Sequence, residues 1–159
     1  MNQIIVVPLD GSAVGEAALP FVEDLVLKMS PEVGVEVVLI QVLSMIAPGI
    51  IFGEETSQVS FTPEEMRQQT GRAMSYLDKT ADVLRGKGIT VTVHVAIGDS
   101  SEEIVKYAEE INAYLIAMST HGRSGLSRWA FGSITHKVLR QKGSVPIVMI
   151  KAPKKTDTA

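Results

Sequence analysis

Five short apolar runs, separated by segments with helical spacing, constrain the fold of this chain more than any other feature. The runs cover residues 4–7, 35–43, 89–97, 114–118 and 145–150. Unbroken runs rich in valine and isoleucine are typical of strands buried on both faces of a parallel sheet. The alternation of strand and helix therefore predicts a doubly wound α/β fold, in which helices cover both faces of a five-stranded parallel sheet.

The first helix is predicted between the first two strands. Asp10 or Ser12 is suited to cap it, and Pro20 falls inside the helical pattern, which predicts a kink or a late start. The apolar stripe expected to face the sheet consists of Ala18, Phe21, Val22 and Leu25.

Two further helices have clear start signals. Residues 62–65 form a capping box with proline at the first helical position, and the helix is expected to run to about Arg85. Ser100 or Ser101 is suited to cap the next helix, directly after the turn at Gly98 and Asp99. The inward faces are predicted to be Met66, Ala73, Leu77, Ala81 and Leu84 in the first, and Ile104, Ala108 and Ile111 in the second.

Residues 44–62 form an unusually long connection between the second strand and the capping box. Long loops in compact domains are often binding loops or lids, so one hypothesis is a mobile flap over a site. The other is a plain connection of variable sequence.

Composition limits the kind of protein. The chain has 159 residues, of which 45% are hydrophobic, so we expect a single domain over 1–151 and a disordered polar tail over 152–159. A net charge of −3 argues against nucleic acid or an anionic membrane as the main partner. There is no cysteine, which excludes disulfides and thiolate chemistry. No run approaches the roughly 20 apolar residues of a membrane span and no signal peptide is evident, so a cytoplasmic location is expected. His94 and His136 have no partner spacing and are expected at the surface.

A glycine-bearing loop lies at 119–135, between the fourth predicted strand and the last helix, which is predicted at 134–139. Free backbone N–H groups and the positive end of a helix dipole both suit a phosphate group. The loop offers the glycines Gly122, Gly125 and Gly132, the hydroxyls of Ser124, Ser133 and Thr135, and the cations Arg123 and Arg128. The alternative is that the glycines only make turns, because neither a Walker A nor a G-x-G-x-x-G sequence occurs in the chain.

Several phrases resemble the universal stress protein family over essentially the whole length. Val-Val-Pro-Leu-Asp-Gly-Ser follows the first strand, Gly-Asp follows the third, and Ser-Val-Pro-Ile-Val-Met-Ile-Lys closes the sheet. ATP-binding members carry a loop of the form G-x2-G-x9-G-[ST]; here Gly122, Gly132 and Ser133 match its second half, and Ser119 replaces the first glycine. The resemblance implies a Rossmann-like fold of the adenine nucleotide alpha hydrolase type, with strand order 3-2-1-4-5.

The resemblance also implies a site for ATP, or for ADP or AMP, with Mg²⁺ or Mn²⁺ carried on the phosphates. Asp10 is expected near the ribose or a metal-bound phosphate, and the hydroxyl of Ser119 is an added donor for a phosphate. The nucleoside contacts would be Pro8, Leu9, Asp10, Val42, Gly98, Asp99 and Met118. The phosphate contacts would be Ser119, His121, Gly122, Arg123, Ser124, Gly125, Gly132, Ser133, Ile134 and Thr135. Simpler roles remain open: Asp10 as a helix cap, Asp99 as a turn former, His121 as loop packing and Met118 as core.

The last strand carries an implication about assembly. An apolar edge strand left unpaired invites aggregation, and the family pairs it with the same strand of a second chain. The homodimer interface would contain Val145, Pro146, Ile147, Val148, Met149 and Ile150. A monomer whose edge is covered by a loop is the alternative.

The implied function is a nucleotide-binding regulatory module in the stress response, with regulatory protein partners that the sequence does not identify. No catalytic residue is predicted, because no positioned general base and no Walker-type lysine is found, so hydrolysis would be slow at most. One alternative is an enzyme, either a true ATPase or a hydrolase that uses Ser124 or Ser133. Another is a member that binds AMP, cyclic AMP or only proteins, with 44–62 as the partner surface.

Overall fold

The predicted strands form one parallel sheet. The computed structural model describes residues 3–29, 32–46, 50–52, 55–57, 60–120 and 133–152. Within these residues the sheet contains β1 (Gln3–Pro8), β2 (Val35–Leu43), β5 (Thr90–Ile97), β6 (Leu115–Thr120) and β7 (Ile147–Lys151). Its order is β5-β2-β1-β6-β7. When only the five strands of this sheet are counted along the chain, this is the order 3-2-1-4-5, which confirms the prediction.

Helices cover both faces of this sheet. They are α1 (Ala13–Glu16), α2 (Leu19–Lys28), α3 (Pro63–Arg85), α4 (Ser100–Glu110) and α5 (Ser133–Arg140). On one face α2 and α3 bury Val22, Leu77, Ala81 and Leu84 against Ile5, Val7, Val37 and Leu39. On the other face α4 and α5 bury Ile104, Val105, Ala108 and Val138 against Val6, Val38, Ile40 and Ile116. Strands with two buried faces explain the unbroken apolar runs.

The first predicted helix is divided into two. Ser12 caps α1, because its hydroxyl oxygen accepts a hydrogen bond from Gly15 N at 3.0 Å. The chain then restarts as α2, with Pro20 in the first turn, where the missing N–H is not needed. The restart changes which side chains face the sheet: Val22 is fully buried, whereas Phe21 is 41% exposed. The prediction that Phe21 belongs to the inward stripe was therefore wrong.

The start of α3 is confirmed as a capping box. Thr62 Oγ1 accepts from Glu65 N at 3.2 Å, and Thr62 N donates to Glu65 Oε2 at 2.8 Å. The helix ends at Arg85, as predicted, and Gly86 follows as its cap. Its inward face is also confirmed at Ala73, Leu77, Ala81 and Leu84.

Residues 44–62 include regular structure that the sequence did not indicate. Two short strands, β3 (Ile50–Phe52) and β4 (Glu55–Ser57), pair in antiparallel fashion. A bridge between Ile46 and Ser60 extends the pairing toward α3. The described part of the connection thus contains a short antiparallel strand pair.

The two edges of the sheet differ. Gly98 N donates to Leu43 O, so the main chain of residue 98 faces β2. The main-chain groups of successive residues in a strand face opposite sides, so the Val91 carbonyl, seven residues earlier, faces away from β2. Arg85 covers this carbonyl, because its Nε and Nη2 atoms donate to Val91 O at 3.2 and 3.0 Å. The guanidinium is itself held by Asp82, whose Oδ1 lies 2.9 Å from Nη1.

At the other edge, β7 pairs on one side with β6. Ala152 N donates to Thr120 O at 3.0 Å, so the main chain of residue 149 faces away from β6 by the same alternation. The strand includes Lys151, and pairing continues to Ala152, which is one residue into the predicted tail. Residues 153–159 of that tail lie outside the described part of the chain. In the parts that are described, no helix is long and apolar enough to cross a membrane.

Candidate functional site

A cavity of about 250 Å³ opens at the carboxyl ends of β1 and β6. Strand order reverses between these two strands, and ligands of open α/β sheets bind at such a point. Its apolar lining includes Leu9, Val14, Ile40, Val42, Ile104, Met118 and Ile134. Its polar lining includes Asp10, Ser12, Ser100, Ser119 and Thr135. One cavity therefore offers an apolar surface next to carboxylate and hydroxyl groups.

The structure brings together many of the residues singled out from the sequence. Those that line the cavity are Pro8, Leu9, Asp10, Val42, Met118, Ser119, Ile134 and Thr135. Gly98 and Asp99 are not among the lining residues. The predicted phosphate contacts His121, Gly122, Arg123, Ser124, Gly125 and Gly132 lie outside the described residues, so their roles stay predictions. Ser133 is the first residue of α5.

Asp99 caps α4, where the sequence had indicated Ser100 or Ser101. Asp99 Oδ1 accepts from Ser101 N at 3.0 Å and from Glu102 N at 3.2 Å. The Ser101 hydroxyl also donates to this oxygen, at 2.5 Å, and with the backbone bonds it lowers the pKa of Asp99. Gly98 precedes the cap with φ of 153°, and a Cβ there would lie 3.0 Å from Glu103 Cγ. This turn shapes the start of α4 beside the cavity.

Asp10 organises the turn after β1. Its Oδ1 accepts from Ser12 N at 2.9 Å and from Ser12 Oγ at 2.6 Å. Gly15 packs against the same carboxylate, since a Cβ at that position would lie 2.8 Å from Asp10 Oδ1. Asp10 is exposed at the cavity, so it combines a local structural role with access to a ligand.

Ser119 lies in β6, because this strand continues two residues beyond the predicted end at 118. Its hydroxyl donates to the carbonyl of Val14 in α1, and the Gly15 carbonyl oxygen is 3.2 Å away. A serine hydroxyl carries one proton, and in this structure that proton is directed to α1. The geometry differs from the expectation that this hydroxyl is an added donor for a phosphate.

The N-terminus of α5 borders the cavity through Ile134 and Thr135, and Thr135 is only 5% exposed. The first N–H groups of a helix have no partner within it and form the positive end of the helix dipole. Within the described ranges, no cluster of three or more histidine, aspartate or glutamate side chains could hold a metal ion.

Sequence reasoning did not place Val14, Gly15, Ile40 and Ile104 in the cavity. Two of these belong to α1, which was not separated from α2 in the sequence. The glycine at position 15 was the available signal, because a glycine inside a predicted helix often marks a close approach. Ile40 and Ile104 look like ordinary core residues in the sequence.

Comparisons with known proteins agree with this architecture. The family model of the universal stress protein family matches residues 1–151. The universal stress protein MJ0531 of Methanocaldococcus jannaschii is 29% identical over 151 residues, which cover 95% of this chain and 83% of the relative.

Two solved structures share the fold. Protein MJ0577, also from Methanocaldococcus jannaschii, superposes with a TM-score of 0.70 at 23% identity, over 96% of this chain and 97% of that one. The universal stress protein of Archaeoglobus fulgidus, solved in complex with dAMP, has a TM-score of 0.60 at 21% identity, over 95% and 98% of the two chains. The family match over nearly the full length, together with the strand order, leads to one conclusion: the chain belongs to the universal stress protein family.

Proposed function

We propose that this chain binds an adenine nucleotide, ATP in particular, in the cavity between β1 and β6. The observation that carries the proposal is the cavity itself, where an apolar wall adjoins polar groups at the strand-order reversal. The dAMP complex of the Archaeoglobus fulgidus relative supports an adenine nucleotide as the ligand class.

The two kinds of lining suit the two ends of such a ligand. Val42, Ile40 and Ile104 offer apolar surface for a purine base. Asp10 is an acceptor for ribose hydroxyls, and the N-terminus of α5 offers N–H donors for phosphate oxygens. Mg²⁺ or Mn²⁺ would be carried on the phosphates, with Asp10 as the possible protein ligand.

The proposed role is regulatory. Nucleotide occupancy would report metabolic or stress state to protein partners in the cytoplasm, through a homodimer that pairs β7 with its copy. The folded domain would extend over 1–151. We expect phosphate release slower than about one per second. Catalysis of phosphoryl transfer requires positioned charges and an activated nucleophile, and the sequence predicts neither a general base nor a Walker-type lysine.

Calorimetric titration with ATP, ADP, AMP and cyclic AMP, with and without Mg²⁺, tests the ligand. Val42→Trp should abolish binding, because the indole would fill the apolar side of the cavity. Val35→Trp is the matched control: residue 35 lies at the opposite end of the same strand, away from the cavity, and this variant should bind as the original protein does. Equal binding by both variants, or no binding by the original protein, would refute the proposal.

The dimer has its own test. The N–H of Met149 faces away from β6, so Met149→Pro should remove a donor for pairing with a second chain and leave the internal ladder intact. Light scattering should then show a monomer for Met149→Pro and a dimer for Met149→Ala. A dimer in both variants would exclude β7 as the pairing strand.

A further inference from the structure

Helix α1 forms a wall of the candidate cavity although it belongs to neither layer of long helices. It has four residues, and a single helical turn is not stable in isolation. Val14 and Gly15 of this helix line the cavity. The width of the cavity therefore depends on the contacts that hold α1 in place.

Among the described residues, side chains of α3 and β6 bond to α1. The Tyr76 hydroxyl of α3 donates to Glu16 Oε1 at 2.8 Å. On the sheet side, the Ser119 hydroxyl donates to the Val14 carbonyl and lies 3.2 Å from the Gly15 carbonyl oxygen. The Val14 carbonyl also accepts from Ala17 N at 3.1 Å, so the bond from Ser119 ties α1 to the sheet in addition to its own backbone bond.

This use of the proton changes what Ser119 can offer a nucleotide. With its proton directed to α1, the Oγ atom presents only lone pairs to the cavity. Lone pairs repel a phosphate oxygen, whereas backbone N–H groups attract it. A direct phosphate contact would require the bond to α1 to break.

We propose that Ser119 is a positioning residue: it fixes α1, and through Val14 and Gly15 it sets the width of the nucleotide cavity. This inference rests on the proposed nucleotide site. It assigns to position 119 a part in shaping the cavity wall, at a distance from the phosphates.

The test compares affinities for adenosine, AMP, ADP and ATP in the original protein, Ser119→Ala and Ser119→Thr. Loss of one hydrogen bond predicts that Ser119→Ala binds all four ligands about fivefold more weakly, by the same factor for each. Ser119→Thr keeps the hydroxyl and should restore the affinity. A loss that grows with the number of phosphates would overturn the proposal, and so would an unchanged affinity of Ser119→Ala.

A second measurement does not depend on nucleotide binding. The Glu16 and Ala17 amides close the turn of α1, and in Ser119→Ala they should exchange hydrogen about fivefold faster than in the original protein or in Ser119→Thr. Thr92→Val removes a sheet hydroxyl bonded to Glu36 and should leave this exchange unchanged. Unchanged exchange in Ser119→Ala would overturn the inference. If the original protein binds none of the four ligands, the proposed function fails and the exchange rates alone decide whether Ser119 holds α1.

Discussion

The imidazole ring of His94 lies flat against the phenol ring of Tyr107, with ring centroids 3.9 Å apart and planes 5° from parallel. The pair joins the edge strand β5 to helix α4. Partial burial lowers the pKa of His94, and the nearby carboxylates Glu110 and Glu103 oppose this shift. Although a surface histidine was expected here, His94 belongs to the packing between the sheet and a helix.

The lowered pKa of His94 predicts a pH dependence of stability. Between its folded pKa and the unfolded value of about 6.5, the unfolded chain binds more protons, so stability falls as pH falls through this window. His94→Phe keeps a flat ring on Tyr107 and should remove this part of the dependence. Urea denaturation of both proteins from about pH 7 down to pH 5 measures this dependence. Parallel curves for the two proteins would contradict the prediction.

Replacing either of two glycines with alanine should change the free energy of unfolding, in opposite directions at the two positions. Gly15→Ala places a Cβ 2.8 Å from Asp10 Oδ1, so the carboxylate must move from its bonds with Ser12. We expect a loss of about 1 kcal/mol in the free energy of unfolding. Gly71 lies inside α3 with nothing within 4 Å of an added Cβ, so Gly71→Ala should gain about 0.5–1 kcal/mol. Chemical denaturation of both variants measures the two changes, and a gain at position 15 would show that the carboxylate relocates without cost.

Two apolar residues of α3 differ sharply in burial. Leu77 is fully buried between the helix and the sheet, whereas Val83 is 62% exposed. Leu77→Ala should cost about 2–5 kcal/mol, because it removes transfer energy and leaves a cavity. Val83→Ala should change stability by less than about 0.5 kcal/mol. Guanidinium denaturation compares them, and similar midpoints would mean that α3 is not packed as described.

The position of Arg85 at the β5 edge predicts that its removal will promote association between copies of the chain. Its guanidinium covers the outward carbonyl of Val91, which would otherwise be free to pair with another chain. Arg85→Ala should increase concentration-dependent association in sedimentation velocity. Arg67→Ala is the control, because Arg67 pairs with Glu64 on the surface of the same helix. Identical sedimentation of the two variants would show that this edge is protected by other means.

The sequence predicted the strands and the bounds of α3 because those features depend on local patterns, whereas the strand order came from the family resemblance. The capping box at Thr62 and the end of α3 at Arg85 are set by residues within one turn of each boundary. The strands were recognisable because both of their faces are buried.

The features that the sequence did not predict depend on contacts between distant residues. The link from Ser119 to Val14 joins positions 105 apart, and it makes α1 a wall of the cavity. The stacking of His94 on Tyr107 likewise requires the register of β5 against α4, which no local spacing contains. Asp99, rather than a neighbouring serine, caps α4 because its Oδ1 reaches both Ser101 N and Glu102 N.

The unequal edges of the sheet bear on how large an assembly can grow. If both edges were free, copies could add head to tail, and repeated addition that fails to close yields open filaments. Arg85 lies across the β5 edge, which leaves growth to the β7 side. In the proposed pairing of β7 with its own copy about a two-fold axis, the two β7 edges cover each other. No free β7 edge then remains to which a third chain could add. A single guanidinium would thereby favour a finite pair over a fibre.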